Sequence, residues 1–270
     1  MERGAAPMGG GAVENPPKAP VIRTIGWSDL SEVFTAGVRD FQAAPAFGLA
    51  FGGFYAAGGL LVLWFLFGQG LAYLAYPLTA GFALVGPFAA AGLYEVSRRR
   101  ERGEPLAWRA VLGAVWGQGG RELAWMAFVC VFILIIWMYQ VRLLLALFLG
   151  LKTPPTLAGF LQVVLTTPEG LMFLAVGHVV GAALALLTFS LTVVSFPLLL
   201  DRDHDFITAM ITSVQAVLRN PGPMLGWAAI VVGLLVVGIA PFFLGLVVVL
   251  PVLGFSTWHL YRRLVAPVAP

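Results

Sequence analysis

Hydrophobic residues run through this chain in long unbroken blocks, and the polar positions gather between them. No Asp, Glu, Lys or Arg falls between Asp40 and Glu95, a gap of 54 residues. The other long gaps lie between Glu122 and Arg142 (19 residues), Glu169 and Asp201 (31) and Arg219 and Arg262 (42). A helix needs about 20 apolar residues to cross the ~30 Å of hydrocarbon in a bilayer. The first and last gaps therefore hold two crossings each and the middle two hold one each. The expected crossings are about 46–67, 71–94, 123–146, 171–200, 224–241 and 243–262.

Ahead of each pair the pattern changes to that of a helix with one apolar face. Leu30, Val33, Phe34, Val38 and Phe41 share a face, with Ser28 or Asp29 as the cap and Ala44-Pro45 as the stop. Trp108, Val111, Leu112, Val115 and Trp116 share another, between Pro105 and Gly119-Gly120. A third runs from Phe206 to Leu218, with Asp203 or Asp205 as its cap and Asn220-Pro221 as its stop. These are expected to lie on the membrane surface. A short apolar piece, Leu157 to Leu165, is expected at the opposite interface.

The layout repeats. A surface helix, a breaker and a transmembrane hairpin recur over about 27–94, 104–200 and 203–262, and each second crossing carries a proline near its end: Pro87, Pro197 and Pro251. In that register Glu95, Asp205 and His259 are equivalent, each eight residues past its proline. Parallel repeats imply pseudo-rotational symmetry about the membrane normal. The expected fold is all-α: a polytopic membrane protein with six transmembrane helices in three hairpins, one domain over 26–265, after a disordered tail over 1–25. Glycines 48, 52, 53, 58 and 59 in the first crossing read as close helix packing.

Composition sharpens this reading. Hydrophobic residues make up 60% of the 270 and charged residues 11%, against about 25% charged in soluble domains. Of the 16 Lys and Arg, all but Arg142 and Lys152 fall in segments that alternation puts on one side. By the positive-inside rule that side is the cytoplasm, with both termini there. The first forty residues contain no apolar signal-peptide core, and the single Cys130 permits no internal disulfide.

Candidate chemistry is sparse. The densest acidic and basic knot after Arg98–Arg102 is Asp201, Arg202, Asp203, His204 and Asp205. With Glu95 and His259 it forms a candidate polar cluster at the cytoplasmic rim, structural or functional. One of the three aspartates is expected to pair with Arg202 and clamp the fourth crossing against the third surface helix. His178, within Gly177–Gly181, is the intramembrane polar candidate, with a hydrogen bond to a neighbouring helix as its plain reading. No spacing typical of a metal site, phosphate loop or catalytic motif occurs, so no catalytic residue, metal or cofactor is expected and the protein is not read as an enzyme.

Ser195-Phe-Pro-Leu-Leu-Leu-Asp-Arg-Asp, then Ala209, Ser213, Ala216, Asn220-Pro221, Met224 and Trp227, and the closing Thr257-Trp-His-Leu-Tyr-Arg resemble a bacterial family of uncharacterised predicted integral membrane proteins. Some members are labelled cytochrome c oxidase subunits. The resemblance implies six crossings and the bacterial inner membrane, with no established activity. Three histidines are too few for the haems and copper of a catalytic oxidase subunit, so the label would imply an accessory one. The expectation is a scaffold or accessory component binding lipid or other membrane proteins, respiratory ones among them. The alternative is a small-solute transporter or channel between the hairpins, which requires polar groups at mid-depth. Thr79, His178, Thr188, Ser190 and Thr192 are almost all there is. No nucleic-acid partner is expected.

Overall fold

The computed structural model describes residues 20–64, 89–117, 120–150 and 157–267. Among them the regular structure is helical, apart from one isolated antiparallel bridge between Ile22 and Val265. In chain order the helices are α1 (Trp27–Ala43), α2 (Pro45–Leu63), α3 (89–101), α4 (Trp108–Trp116), α5 (Gly120–Leu149) and α6 (Leu157–Thr166). They continue with α7 (Pro168–Thr192), α8 (Ser195–Asp201), α9 (Phe206–Arg219), α10 (Pro221–Ile239) and α11 (Leu246–Leu264). Four stretches among the described residues are long and apolar enough to cross a membrane: Pro45–Leu63, Arg121–Leu149, Pro168–Asp201 and Pro221–Ile239.

Two of the six expected crossings are not among these. The one over 71–94, with Pro87, lies largely outside the described residues. The one over 243–262 is helical as α11, but its apolar part ends near Phe255. α11 is the central helix among those described. Pro251, Leu253, Phe255, Trp258, Tyr261 and Leu264 are all buried, and α11 packs on α1, α2, α8 and α10.

Other boundaries moved for local reasons. Residues 20–25, expected within the tail, are held against the far end of the chain. Arg23 N donates to Leu264 O at 2.7 Å, and Ala266 N to Val21 O at 2.9 Å. Asn220, buried, accepts from Ile25 N and donates to Arg23 O. The N-cap of α1 is Gly26, whose N–H is taken by Asp29 from inside the first turn (2.7 Å). Pro105 precedes α4 in extended chain, and α4 starts only at Trp108. The fourth crossing breaks at Val193-Val194, where Pro197 has no N–H for the Val193 carbonyl. The freed Val194 N–H donates to Ser213 Oγ of α9 at 3.1 Å.

The surface helices each dock on the bundle. α1 lies on α11, and α9 on α7 and α8. Val111 of α4 shares an apolar cluster with Leu93 and Val96 of α3. Close approaches are made by glycines. A Cβ on Gly37 of α1 would lie 2.6 Å from Ser256 N of α11, and one on Gly52 of α2 would lie 2.2 Å from Val247 O. At such contacts van der Waals packing between backbones holds helices together in lipid, where no hydrophobic force separates helix from solvent. The face expected on α4 is divided. Val111 and Val115 point inward, while Leu112 and Trp116 are exposed, so the helix is apolar on two sides.

Candidate functional site

Three helix ends meet at the charged end of the bundle. α3 closes with Glu101 and Arg102, α8 with Asp201 and Arg202, and the last turns of α11 carry Trp258, His259, Tyr261 and Arg262. Asp201 is the centre: its buried carboxylate accepts from Tyr261 Oη (2.8 Å) and pairs with Arg102 (3.2 Å) and Arg262 (3.4 Å). Glu101 accepts from Trp258 Nε1 (3.1 Å) and Arg262 Nε (3.0 Å). One carboxylate from α3 and one from α8 are thus tied to the same arginine of α11. Arg98 adds a guanidinium at the C-terminus of α8, donating to Leu200 O at 2.8 Å. That carbonyl has no partner within its helix and sits at the negative end of the helix dipole.

Glu95 is fully buried and is held by the two arginines that follow it on its own helix. Arg99 donates to Oε1 at 2.7 Å, and Arg98 lies 2.7 Å from Oε2, out of hydrogen-bond alignment. His259 faces a different acid. Its Nε2 is 2.9 Å from Oδ2 of Asp40, which also accepts from Ser97 Oγ and pairs with Arg100 at 3.3 Å. Asp40 was missed by the sequence reading. It falls on the inward line Leu30, Val33, Gly37, Asp40, so the signal was a glycine three residues before a carboxylate on the docking face. At a helix C-terminus a carboxylate opposes the dipole, which is why three partners converge on it.

The expected equivalence of Glu95, Asp205 and His259 does not hold for Asp205. α8 ends at Asp201, four residues after Pro197, whereas Glu95 and His259 lie within their helices. Asp205 caps α9, accepting from Thr208 N (2.9 Å) and Thr208 Oγ1 (2.6 Å). These bonds hold its carboxyl below the usual value of 3.8. The folded pKa lies under the unfolded one, so the cap's stabilisation is complete above the unfolded value and is lost as pH falls through the folded one. Asp205→Ala should lower stability by about 1 kcal/mol near neutral pH. Melting curves of the two proteins should converge on acidification below pH ~3.8.

The clamp expected at Arg202 is built differently. Its Nε is 3.9 Å from Asp201 Oδ2, and its Nη2 donates to Ala266 O. Arg202 therefore fastens α8 to the segment after α11, not to α9. Asp203 is exposed and His204 is buried. Burial and the neighbouring Arg202 push the His204 imidazole below its ordinary pKa. Arg98, Glu122, Asp201, Arg202, Asp203 and His204 line a polar cavity of about 120 Å³.

His178 lies apart from this cluster, on α7, and its Nδ1 is 2.7 Å from the Leu174 carbonyl one turn back. The bond is within its own helix rather than to a neighbour. Among the described residues no three His, Cys, Asp or Glu side chains come together as a ligand set for a metal.

Long apolar helices, close glycine contacts and a charged cluster at the ends of α3, α8 and α11 define a multi-pass integral membrane protein. Residues 75–201 match the model of a family described as predicted integral membrane protein (DUF2189), a match that takes in α3 through α8. The likeness read from the sequence is borne out over those residues, including the run Ser195–Asp201. No curated protein and no solved structure matches the chain.

Proposed function

We propose that this protein is a non-catalytic scaffold or accessory component that holds other membrane proteins, or lipid, against its lateral surface. The observation carrying this reading is that the acids joining the helix ends are committed to partners within the protein. Asp40, Glu101 and Asp201 spend their carboxylates on arginine, tryptophan, tyrosine, serine or histidine side chains of other segments, and Glu95 spends its own on Arg98 and Arg99 of the same helix. At mid-depth Thr188, Thr192 and His178 bond carbonyls one turn back in α7, and the cavities that Thr188 and His178 border are otherwise lined almost wholly by apolar residues. Meanwhile Phe128, Phe132, Ile136, Leu143 and Leu147 of α5 face outward. Photo-crosslinkers at Phe132 and Leu143 in native membranes should give one discrete adduct, and proteoliposomes should show no solute flux. Specific, saturable flux would overturn this reading and favour the transporter.

The same reading includes six crossings as three parallel repeats in a bacterial inner membrane, with both termini cytoplasmic. In its favour, Ala44 (φ −131°, ψ 52°) and Asn220 (φ −128°, ψ 51°) are the same backbone joint, each between a surface helix and a proline-led crossing. Each surface helix also docks on a helix of the unit before it, in cyclic order: α1 on α11, α4 on α3, α9 on α7 and α8. Reporters fused at Gln69, Pro155 and Phe243 should read periplasmic, and those at Glu101, Thr212 and the C-terminus cytoplasmic. A cytoplasmic signal at Pro155 would overturn the count.

A further inference from the structure

The polar cavity beside α8 contains uncommitted groups of three kinds. The His204 ring, in a residue only 9% exposed, makes no hydrogen bond among the described residues, and neither does the Asp203 carboxylate. Arg202 uses Nη2 on Ala266 O, leaving the rest of its fork. The remaining acids on the cavity wall are occupied: Glu122 accepts from Phe206 N and Arg121, and Asp201 from Tyr261 and the α3 and α11 arginines. The His204 ring nitrogens keep contact with solvent at the cavity, so a polar ligand entering it meets an imidazole with no competing protein partner among the described residues. His204, neutral near pH 7 because of its lowered pKa, offers one donor and one acceptor. Arg202 offers a cation and Asp203 an anion.

We propose that this cavity binds a small zwitterion, an oxyanion joined through a short linker to a primary ammonium, of which phosphoethanolamine is the type. The oxyanion would lie on Arg202 and His204 and the ammonium on Asp203, the strong charge-assisted arrangement for each. A simple anion would leave Asp203 facing like charge, and a simple cation would face Arg202. A bilayer source is within reach. One turn from Glu122, Trp125 is exposed and stacks on Phe206 (centroids 5.8 Å apart), and Trp is enriched at the depth of lipid headgroups. The volume of about 120 Å³ suits a headgroup-sized molecule rather than a larger metabolite. This site is independent of the scaffold reading, because none of its free groups belongs to the lateral surface.

The chain has three histidines, so imidazole NMR of the full-length, histidine-labelled protein in phosphatidylcholine nanodiscs resolves the site directly. His204→Gln assigns the signal, and an unchanged melting curve shows that the variant is folded. Phosphoethanolamine should move the His204 resonances saturably and leave those of His178 and His259 in place. Asp203→Asn, an exposed change, should weaken binding about tenfold. Nanodiscs of phosphatidylethanolamine distinguish the sources. A shifted His204 signal without added ligand marks the lipid headgroup, and a shift only with the soluble compound marks a free zwitterion. Equal response to inorganic phosphate, or to phosphocholine with its methylated ammonium, would overturn the zwitterion. No response to any of them would leave the cavity to water and overturn the proposal.

Discussion

Alanine at Gly52 should collapse the stability of this protein, while alanine at Gly53 should leave it unchanged or slightly raised. The two residues are neighbours on α2, yet only one faces a backbone. A Cβ at Gly52 would lie 2.2 Å from Val247 O and 2.8 Å from Pro251, and one at Gly53 meets nothing within 4 Å. The atoms met are backbone of the first turn of α11 and the rigid Pro251 ring, with no flexible side-chain end among them, so relief requires α2 and α11 to move apart. Overpacking of this kind costs about 3 kcal/mol or more when no flexible side chain can yield. At Gly53 only helix propensity changes, in alanine's favour by up to ~1 kcal/mol. Gly37→Ala should behave like Gly52→Ala, because its Cβ would meet Ser256 N at 2.6 Å and Ser256 Cα at 2.9 Å. Thermal melts in one detergent would decide the matter. A Gly52→Ala protein that melts like the wild type would mean that α11 is not the helix around which the bundle packs.

The second large effect is expected at Asp201. Asp201→Ala would leave Arg102, Arg262 and Tyr261 without the acceptor on which they converge. Removing one partner of a buried pair costs ~3–5 kcal/mol. Arg102 is half exposed, and solvent screens part of that loss, so about 2–3 kcal/mol is expected here. Arg202→Ala removes one carbonyl hydrogen bond and a long 3.9 Å pair, and should cost roughly 1–2 kcal/mol. Arg219 is exposed at the end of α9, and its removal should stay within about 0.5 kcal/mol. The order Asp201, Arg202, Arg219 is the test, read as loss of melting temperature. Equal melting of all three variants would show that the charged end does not hold the helices together.

These expectations separate what can be read in a sequence from what cannot. Blocks of apolar residues, bounded by charges and prolines, placed α2, α5, α7 and α10 and the three surface helices to within a few residues. The reason is local: lipid requires every backbone group to be paired within its own segment, so length and hydropathy alone specify a helix. Asn220-Pro221 and Ala44-Pro45 marked real joints, because proline fixes what can precede and follow it. The prominence of the 201–205 run was also legible, since clustered charge stands out in an apolar chain.

Partnership was not legible. One of the three aspartates was expected to pair with Arg202, and Asp201 does so at 3.9 Å, but the closer partners of Asp201 lie 60 and 61 residues ahead and 99 behind. Asp40 read as an ordinary charge on a surface helix until α3 and α11 brought Ser97, Arg100 and His259 to it. Asp205 looked equivalent to Glu95 because spacing from a proline was counted along the chain, but α8 stops at Asp201 and the count no longer follows a helix. Nothing in the pattern marked α11 as the helix on which α1 and α2 close. Sequence by itself determined which segments are apolar helices and, to within a few residues, where they start and stop, because those depend on neighbours within one or two turns. Tertiary structure decided which charges neutralise each other and which helix is central, because Coulomb pairing and glycine contacts act through space between segments whose separation along the chain carries no trace of it.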